Sequence, residues 1–467
     1  MNSFNFADKQ PAFDQNLVRK YDRNGPRYTS YPTADRFIEA YDGDAVRQSL
    51  AAREIGGQLR PLSLYVHIPF CNTICYYCAC NKVVTKNYSQ ATRYLQYLEQ
   101  EISMYSETVA NGALVEKIHL GGGTPTFLSV AEMQQLMRML ERHFTFSAAC
   151  EYAIEVDPRT VDDDKIESLG KLGFNRMSIG VQDFDPDVQQ AVNRVQSQEQ
   201  TFAVLDKARS VGFRSINIDL IYGLPKQTAE AFNRTLDLII AAAPDRIALY
   251  SYAHLPQRFK PQRRINESDL PSSESKLQIM SLAVQRLTDA GYSYIGMDHF
   301  AKPDDELSMA QRQGRLHRNF QGYSSHAESD LLAFGVSAIG AIGPAYHQNH
   351  RTIDDYYDSL DRGQLPVMRG IELNADDLLR RAVIWSLMCN FDVSIEAIEV
   401  TYLIDFAEYF SDELEALKDF EQDGLVRFED DMIIITEAGR FLVRNICMVF
   451  DRYLRLREQR AQYSKVI

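Results

Sequence analysis

The sequence predicts an α/β protein: a partial, open β/α barrel of about six units, with a mostly helical C-terminal domain. Three observations predict it. From about residue 62 to 254, short apolar runs rich in β-branched and aromatic residues alternate with amphipathic helical stretches. Glycine, proline and polar residues gather where those runs end. After about residue 370 the pattern turns helical. Strand and helix in alternation imply parallel pairing with right-handed crossovers. Six units are too few for the usual closed eight-unit barrel, so an open one is expected, with a flat doubly wound sheet as the alternative.

The runs that read as strands are "LSLYVHI" (62–68), "VEKIHL" (115–120), "EYAIEV" (151–156), "RMSIGV" (176–181), "SINIDLIY" (215–222) and "RIALYSY" (246–252). Helical patterns lie between them, among them "ATRYLQYLEQEISMYSE", "VAEMQQLMRMLERHF", "FAVLDKARSVG" and "FNRTLDLIIAAA". The first run leads into Pro69 and a cluster of cysteines, and the second into "GGGTPT" (121–126). The third holds Glu155 and runs into "VDPR"; the others end in "GVQDF", "DLIYGLP" and "YAHLP". In α/β barrels the C-terminal ends of the strands form the active face, so six strand ends converge on a site that holds the cysteines. The segment "NGPRYTSYPTADRF" (24–37) has no period and reads as surface loop or as a cover for the barrel mouth. Beyond 370, helices precede a hairpin-like "LVRFEDDMIIIT" (425–436), which points to a winged-helix-like unit.

The formal charge is −14, which argues against a broad nucleic-acid surface; the helices before the wing are rich in Asp and Glu as well. No run approaches the roughly 20 apolar residues of a membrane span. "MNSFNFADKQPAFDQ" has neither a cationic start nor an apolar stretch, so a cytoplasmic protein is expected.

Four of the seven cysteines fall within "CNTICYYCAC", at Cys71, Cys75, Cys78 and Cys80. In a reducing cytosol such a cluster binds metal or acts in catalysis. Structural zinc takes two ligand pairs across a longer loop, and no second pair is near. "CYYC" has thioredoxin-like spacing, which leaves Cys71 and Cys80 without a role. An iron–sulfur cluster ranks above both. Three cysteines at this spacing can hold three irons of a cubane and leave the fourth open to a small molecule; Cys80 as fourth ligand is the less favoured alternative, because it is only two residues from Cys78. Cys150, Cys389 and Cys447 sit in apolar runs and read as small buried hydrophobes. "GGGTPT" lacks the Lys-Ser/Thr of a phosphate loop.

CxxxCxxC directly after a first barrel strand resembles the radical S-adenosylmethionine superfamily. "YVHIPFC", "CYYCACNK", "GGGTPTFL", "IEVDPR", "GVQDFD", "NIDLIYGLPKQT", "YAHLP", "GMDHFA", "HRNFQGY" and "GPRYTSYPTA" together resemble the oxygen-independent coproporphyrinogen III oxidase family, from about residue 20 to the C-terminus. Related haem-chaperone-type proteins share CxxxCxxC but typically lack the counterparts of Cys80 and "PRYTSYPT". Ala79 departs from the Gly often found there in the family.

The resemblance implies that Cys71, Cys75 and Cys78 hold a [4Fe–4S] cluster whose open iron takes the amino and carboxylate groups of S-adenosylmethionine. Reductive cleavage would give a 5′-deoxyadenosyl radical. That radical would take hydrogen from the β-carbons of two propionates of coproporphyrinogen III, leaving vinyl groups and CO2. Two S-adenosylmethionine molecules are implied. Tyr65, Gly122, Glu155 and Ile339 match positions around the first; Tyr77, Gly123, Thr124, Gln182, Arg194, Asp219 and Ala253 match positions around the second. Four substrate carboxylates need cations on an acidic protein, which makes Arg27 and Arg318 candidate propionate partners, with a surface ion pair as the alternative for either. Cys80, Tyr65, Arg27 and Arg318 are thus the residues expected to act in turnover. A one-electron reductase or flavodoxin-type donor and a monomeric state are expected. The expected division is an N-terminal segment over the active site (1–55), the core barrel (56–300), a connecting segment with substrate and cofactor contacts (301–370) and the helical domain (371–467). The alternatives are a radical S-adenosylmethionine relative acting on another substrate, a haem chaperone, and a zinc-dependent binding module.

Overall fold

All six apolar runs become strands: β1 (Leu62–Ile68), β2 (Leu114–Gly122), β3 (Thr145–Val156), β4 (Arg176–Gln182), β5 (Ser215–Tyr222) and β6 (Arg246–Ser251). Six more join them in one sheet: β7 (Ser293–Gly296), β8 (His299–Ala301), β9 (Asp330–Phe334), β10 (Ile339–Ile342), β11 (Ala345–Asn349) and β12 (Val367–Glu372). The structure is a computed structural model, and it describes residues 12–55, 58–109, 112–326 and 329–455. The opening residues 1–11, where no targeting signal is read, and the C-terminal 456–467 lie outside the described residues.

The twelve strands share one sheet in the order β7-β8-β6-β5-β4-β3-β2-β1-β9-β10-β11-β12. Strands β1 to β6 pair in parallel, and β9 adds a seventh parallel strand on the other side of β1. Strands β7 and β12 end the order, so the barrel stays open. The seventh strand comes from "DLLAF", five residues with no helical stretch after them, so no strand–helix repeat announces it.

Alternation along the strands decides what faces inward. Leu62, Leu64, Val66 and Ile68 of β1 are 0 % exposed and belong to the main apolar core. The opposite row carries Ser63, Tyr65 and His67. Register aligns these with Lys117, His119 and Gly121 on β2. The same row continues through Glu151, Ala153 and Glu155 on β3, Arg176, Ser178 and Gly180 on β4, and Ser215, Asn217 and Asp219 on β5. The barrel lumen is therefore polar, while the outer faces of the strands are apolar.

Helices cover the apolar face. In α1 (Ser89–Ser106), Ala91, Tyr94, Leu95, Leu98, Ile102 and Tyr105 are buried at helical spacing. In α2 (Val130–His143) a Ser129–Glu132 capping box fixes the start, and Met133, Leu136, Met137 and Leu140 face the core. The N-terminal end of the barrel is plugged by ion pairs: Lys117–Glu151 at 3.0 Å, Arg176–Glu306 at 2.5 Å and Arg246–Asp305 at 2.9 Å. At the C-terminal unit, the helix Ala375–Asn390 leads into a three-stranded sheet. There Asp392–Ser394 pairs with Met432–Ile435, and Met432–Ile435 with Val426–Glu429.

One buried polar network ties α1 to the loop after β9. Glu101 is 0 % exposed. Its carboxylate accepts from Gly335 N at 2.7 Å, the Tyr356 hydroxyl at 2.6 Å and Asn349 Nδ2 at 2.6 Å. Tyr94 adds two bonds, donating to His67 O at 2.7 Å and accepting from Val336 N at 3.0 Å. This fixes the approach to Ile339 at the start of β10. Glu101→Ala leaves three donors buried without an acceptor. It is expected to lower stability by about 3 kcal/mol, read as a fall in denaturation midpoint, since each orphaned buried group costs roughly 1–3 kcal/mol.

Candidate active site

The cysteine loop leaves β1 and is closed by a small parallel pairing of Phe70–Cys71 with Val83–Val84. Further hydrogen bonds shape it. Tyr76 N donates to Val192 O at 2.9 Å, and Asn193 Nδ2 to Ile74 O at 2.7 Å. Lys82 Nζ donates to the carbonyls of Cys78 and Cys80, at 3.1 and 3.2 Å. Gln262 Nε2 bridges the carbonyls of Tyr77 and Ala253, at 3.1 and 3.2 Å. From the lumen, His67 Nε2 donates to Asn81 O at 3.0 Å, while its Nδ1 meets the Tyr65 hydroxyl at 3.1 Å.

The strand-two glycines let this loop sit close. A Cβ on Gly123 would lie 2.6 Å from Pro69 O and 3.0 Å from Cys71 Sγ. Gly122 has φ +116°, and a Cβ there would strike the His67 ring at 2.8 Å. Side chains at either position would push the loop out.

A cavity of about 300 Å³ opens above the strand ends. It brings together the thiols of Cys71, Cys75, Cys78 and Cys80 with Tyr77, Gly122, Gly123, Thr124, Glu155, Gln182, Arg194 and Asp219. Asp157 and Arg159, from "VDPR", and Ser178, none of them among the sequence candidates, line it too. Cys71 Sγ lies 3.4 Å from Thr124 Oγ1. Cys75 Sγ accepts from Arg194 Nη1 at 3.6 Å and from Arg159 Nη2 at 3.7 Å, and both guanidiniums pair with Asp157. A hydrogen bond from Cys80 and the nearby Lys82 ammonium hold the Cys78 thiol below its ordinary range. Burial pushes the Cys71 thiol up to about 11.

The carboxylates are oriented as well. Glu155 accepts from Gly122 N at 3.2 Å, and its other oxygen meets His119 Nε2 at 3.1 Å. Asp219 accepts from Ser178 Oγ at 3.0 Å and from Asn217 Nδ2 at 2.8 Å. Burial, with Glu155 beside it, lifts the Asp219 carboxyl to about 6. Gln182 ends β4 with φ +70°, a left-handed conformation of the kind that concentrates at ligand clamps.

The remaining sequence candidates lie around this cavity rather than in it. Tyr65 stands on the lumen row below. Ile339 starts β10 beside an apolar patch with Phe37 and Tyr346. Ala253 and Arg27 line a separate groove of about 750 Å³ between the N-terminal segment, the end of β6 and the start of helix Ser273–Asp289. Arg27 pairs with Asp298, and its guanidinium is 6.0 Å from the Tyr250 ring centre. Arg318 is 3 % exposed, lies over the Tyr323 ring at 4.7 Å, and has no hydrogen-bond partner at Nε or Nη1. Tyr250, Tyr323 and His299 line a third cavity of about 150 Å³ inside the lumen, which shares Glu155, Ser178 and Asp219 with the first.

This arrangement has counterparts of known name. A model of the radical SAM superfamily matches residues 65–239, and one of the HemN C-terminal domain matches 373–442. The chain is 51 % identical over 459 residues to the oxygen-independent coproporphyrinogen III oxidase of Pseudomonas aeruginosa, covering 97 % of this chain and 99 % of that one. Its identity to the Escherichia coli protein of the same name is 49 %, over 98 % and 99 % of the two chains. The chain belongs to the oxygen-independent coproporphyrinogen III oxidase family. A solved structure described as coproporphyrinogen III oxidase (HemN) from Escherichia coli, a radical SAM enzyme, superposes with a TM-score of 0.91 at 48 % identity, over 95 % of this chain and 100 % of that one.

The cofactors of this superfamily are a [4Fe–4S] cluster and S-adenosylmethionine, and the residues present fit them. Among the described residues no three His, Cys, Asp or Glu side chains are arranged to hold a single metal ion. The thiols of Cys71, Cys75 and Cys78 instead line one cavity, Cys71 beside Thr124 and Cys75 beside two guanidiniums, so that each could bind a separate iron of one cluster held there. Hydrogen bonds and positive charge at a ligating sulfur tune a bound cluster's potential. Iron content after anaerobic reconstitution is expected to fall to background in Cys71→Ser, Cys75→Ser and Cys78→Ser. Cys80→Ser is expected to keep its iron and lose turnover; a loss of iron as deep as that of Cys75→Ser would make Cys80 a ligand.

Proposed function

We propose that this chain is an oxygen-independent coproporphyrinogen III oxidase, removing CO2, a hydrogen atom and one electron from each of two propionate side chains, the hydrogen passing to a 5′-deoxyadenosyl radical and the electron to a one-electron acceptor, and yielding the two vinyl groups of protoporphyrinogen IX. The observation that carries the reading is the gathering of Cys71, Cys75 and Cys78 with Glu155, Arg194 and Asp219 in one cavity, on a chain that matches oxidases of this name end to end. When bound, the cluster supplies one electron to S-adenosylmethionine and so a 5′-deoxyadenosyl radical able to take hydrogen from a propionate β-carbon.

The chain's own residues bind and orient. Glu155, held by Gly122 N and His119, offers its free lone pairs to the amino or ribose groups of a first S-adenosylmethionine, with Tyr65 and Ile339 near it. Tyr77, Gly123, Thr124, Gln182, Arg194, Asp219 and Ala253 are assigned to a second molecule: Arg194 to its carboxylate and Asp219 to its ribose hydroxyls. The Gln262 amide links Tyr77 to Ala253, which supports grouping them. Arg27 and Arg318 hold substrate carboxylates. In support, Arg318 is buried with two donors lacking partners, and a buried guanidinium in that state gains most from an anion. The substrate enters by the groove that Arg27 lines. Among the described residues no helix is long and apolar enough to cross a membrane. A cytoplasmic monomer fed by a flavodoxin-type or other one-electron reductase completes the proposal.

Anaerobic incubation with reductant, S-adenosylmethionine and coproporphyrinogen III is expected to release CO2 and 5′-deoxyadenosine and to form protoporphyrinogen IX. Haem binding without CO2 release would instead favour the chaperone reading. Arg318→Ala is expected to raise KM about tenfold, equivalent to about 1.4 kcal/mol, with kcat little changed.

Binding of the second S-adenosylmethionine should follow Asp219. The carboxyl ionises near pH 6, and only the anion accepts both ribose hydroxyls. Equilibrium dialysis is expected to give two equivalents bound at pH 7.5 and about one at pH 5. Asp219→Asn is expected to remain near one throughout.

A further inference from the structure

The N-terminal segment that carries Arg27 has no regular secondary structure from Gly25 to Tyr28, so its carbonyls need partners from elsewhere. They find them in the C-terminal unit, just past the residues matched by the family model. Arg444 lies in the short helix Val443–Cys447 and is 3 % exposed. Its Nε donates to Pro26 O at 2.9 Å, and its Nη2 donates to Gly25 O. One planar fork thus holds two successive carbonyls immediately before Arg27. On the other side of Arg27, the Tyr28 hydroxyl donates to Asp451 Oδ2 at 3.0 Å. Tyr28 itself has φ +43°, a conformation that persists only where the surroundings impose it. Asn445 Nδ2 to Tyr21 O (2.7 Å) and Arg452 N to the Tyr31 hydroxyl (3.3 Å) extend the strap.

We infer that Arg444 is a positioning residue for substrate recognition: it fixes the Gly25–Pro26 backbone so that the Arg27 guanidinium stays between the groove and the lumen cavity, where a propionate can reach it together with Arg318. The inference rests on the reading of Arg27 as a propionate partner. Its charge placement supports it. Burial pushes Arg444 down to about 9, and the neighbouring guanidiniums of Arg27 and Arg318 add to the shift. Three guanidiniums gathered there attract a ligand that carries several carboxylates.

Arg444→Lys keeps the charge and loses the fork. Two readouts are compared: Kd for coproporphyrin III, from its fluorescence, and KM for coproporphyrinogen III. Arg444→Lys is expected to raise both about tenfold, with kcat changed less than threefold and iron content unchanged. In an Arg27→Ala background the same substitution is expected to add less than twofold, because the residue it positions is gone. An equal rise in both backgrounds, as a merely structural role would give, overturns the inference; so does no rise in the wild-type background. If Arg27→Ala by itself moves neither Kd nor KM, the reading of Arg27 fails and the inference falls with it. If Arg27→Ala raises both and Arg444→Lys raises neither, only the inference falls. Should Arg444→Lys not fold, Tyr28→Phe releases the other side of Arg27. It is expected to raise Kd and KM about threefold with Arg27 present and to leave them unchanged in the Arg27→Ala background; no rise with Arg27 present overturns the inference.

Discussion

A strand shows alternate side chains to opposite faces, and the parallel strands β1 to β5 in register turn that rule into a polar lumen inside an apolar shell. Everything at the site depends on this. The outward rows, such as Leu62, Leu64, Val66 and Ile68, drive burial against helices. The inward rows are then free to carry histidines, carboxylates and amides that pair with one another across the lumen. His119 with Glu155, and Ser178 and Asn217 with Asp219, are the pairings that result. They leave two carboxylates aimed at the strand ends with defined orientation.

The cysteine loop is placed by the same lumen. His67, two residues after Tyr65 and so on the same face, holds Asn81 at the far end of the loop. Gly122 and Gly123 yield the space into which the loop settles. Cys75 then meets the guanidiniums of Arg159 and Arg194, which belong to different strand–helix connections. Four connections therefore share one cavity, which suits a cofactor that must be gripped by thiolates on one side and by carboxylates on the other.

Much of this was legible in the sequence. The six runs, their polar ends and the spacing of Cys71, Cys75 and Cys78 carried the architecture and the metal chemistry, because period-2 and period-3.6 patterns are local signals. "DLLAF" was not legible as a parallel strand. It pairs with β1 across a long stretch of chain and lacks a helix to mark the repeat. Of the inward row, Glu155 and Asp219 were legible as candidates, whereas Glu151, Arg176, Ser178 and Asn217 showed only as polar positions alternating within each run. Arg444 and Gln262 left no trace at all. Each acts through backbone carbonyls far away in the chain, and a carbonyl has no sequence signature.

The central claim is that three thiols hold a [4Fe–4S] cluster with one iron left open to a sulfonium ligand. The most direct test is the electron paramagnetic resonance spectrum of the reduced, reconstituted protein, recorded before and after S-adenosylmethionine is added. The account predicts a [4Fe–4S]⁺ signal whose g-values shift on addition, and a shift that survives in Cys80→Ser. A signal indifferent to S-adenosylmethionine, or no cluster signal from fully reconstituted protein, would contradict it.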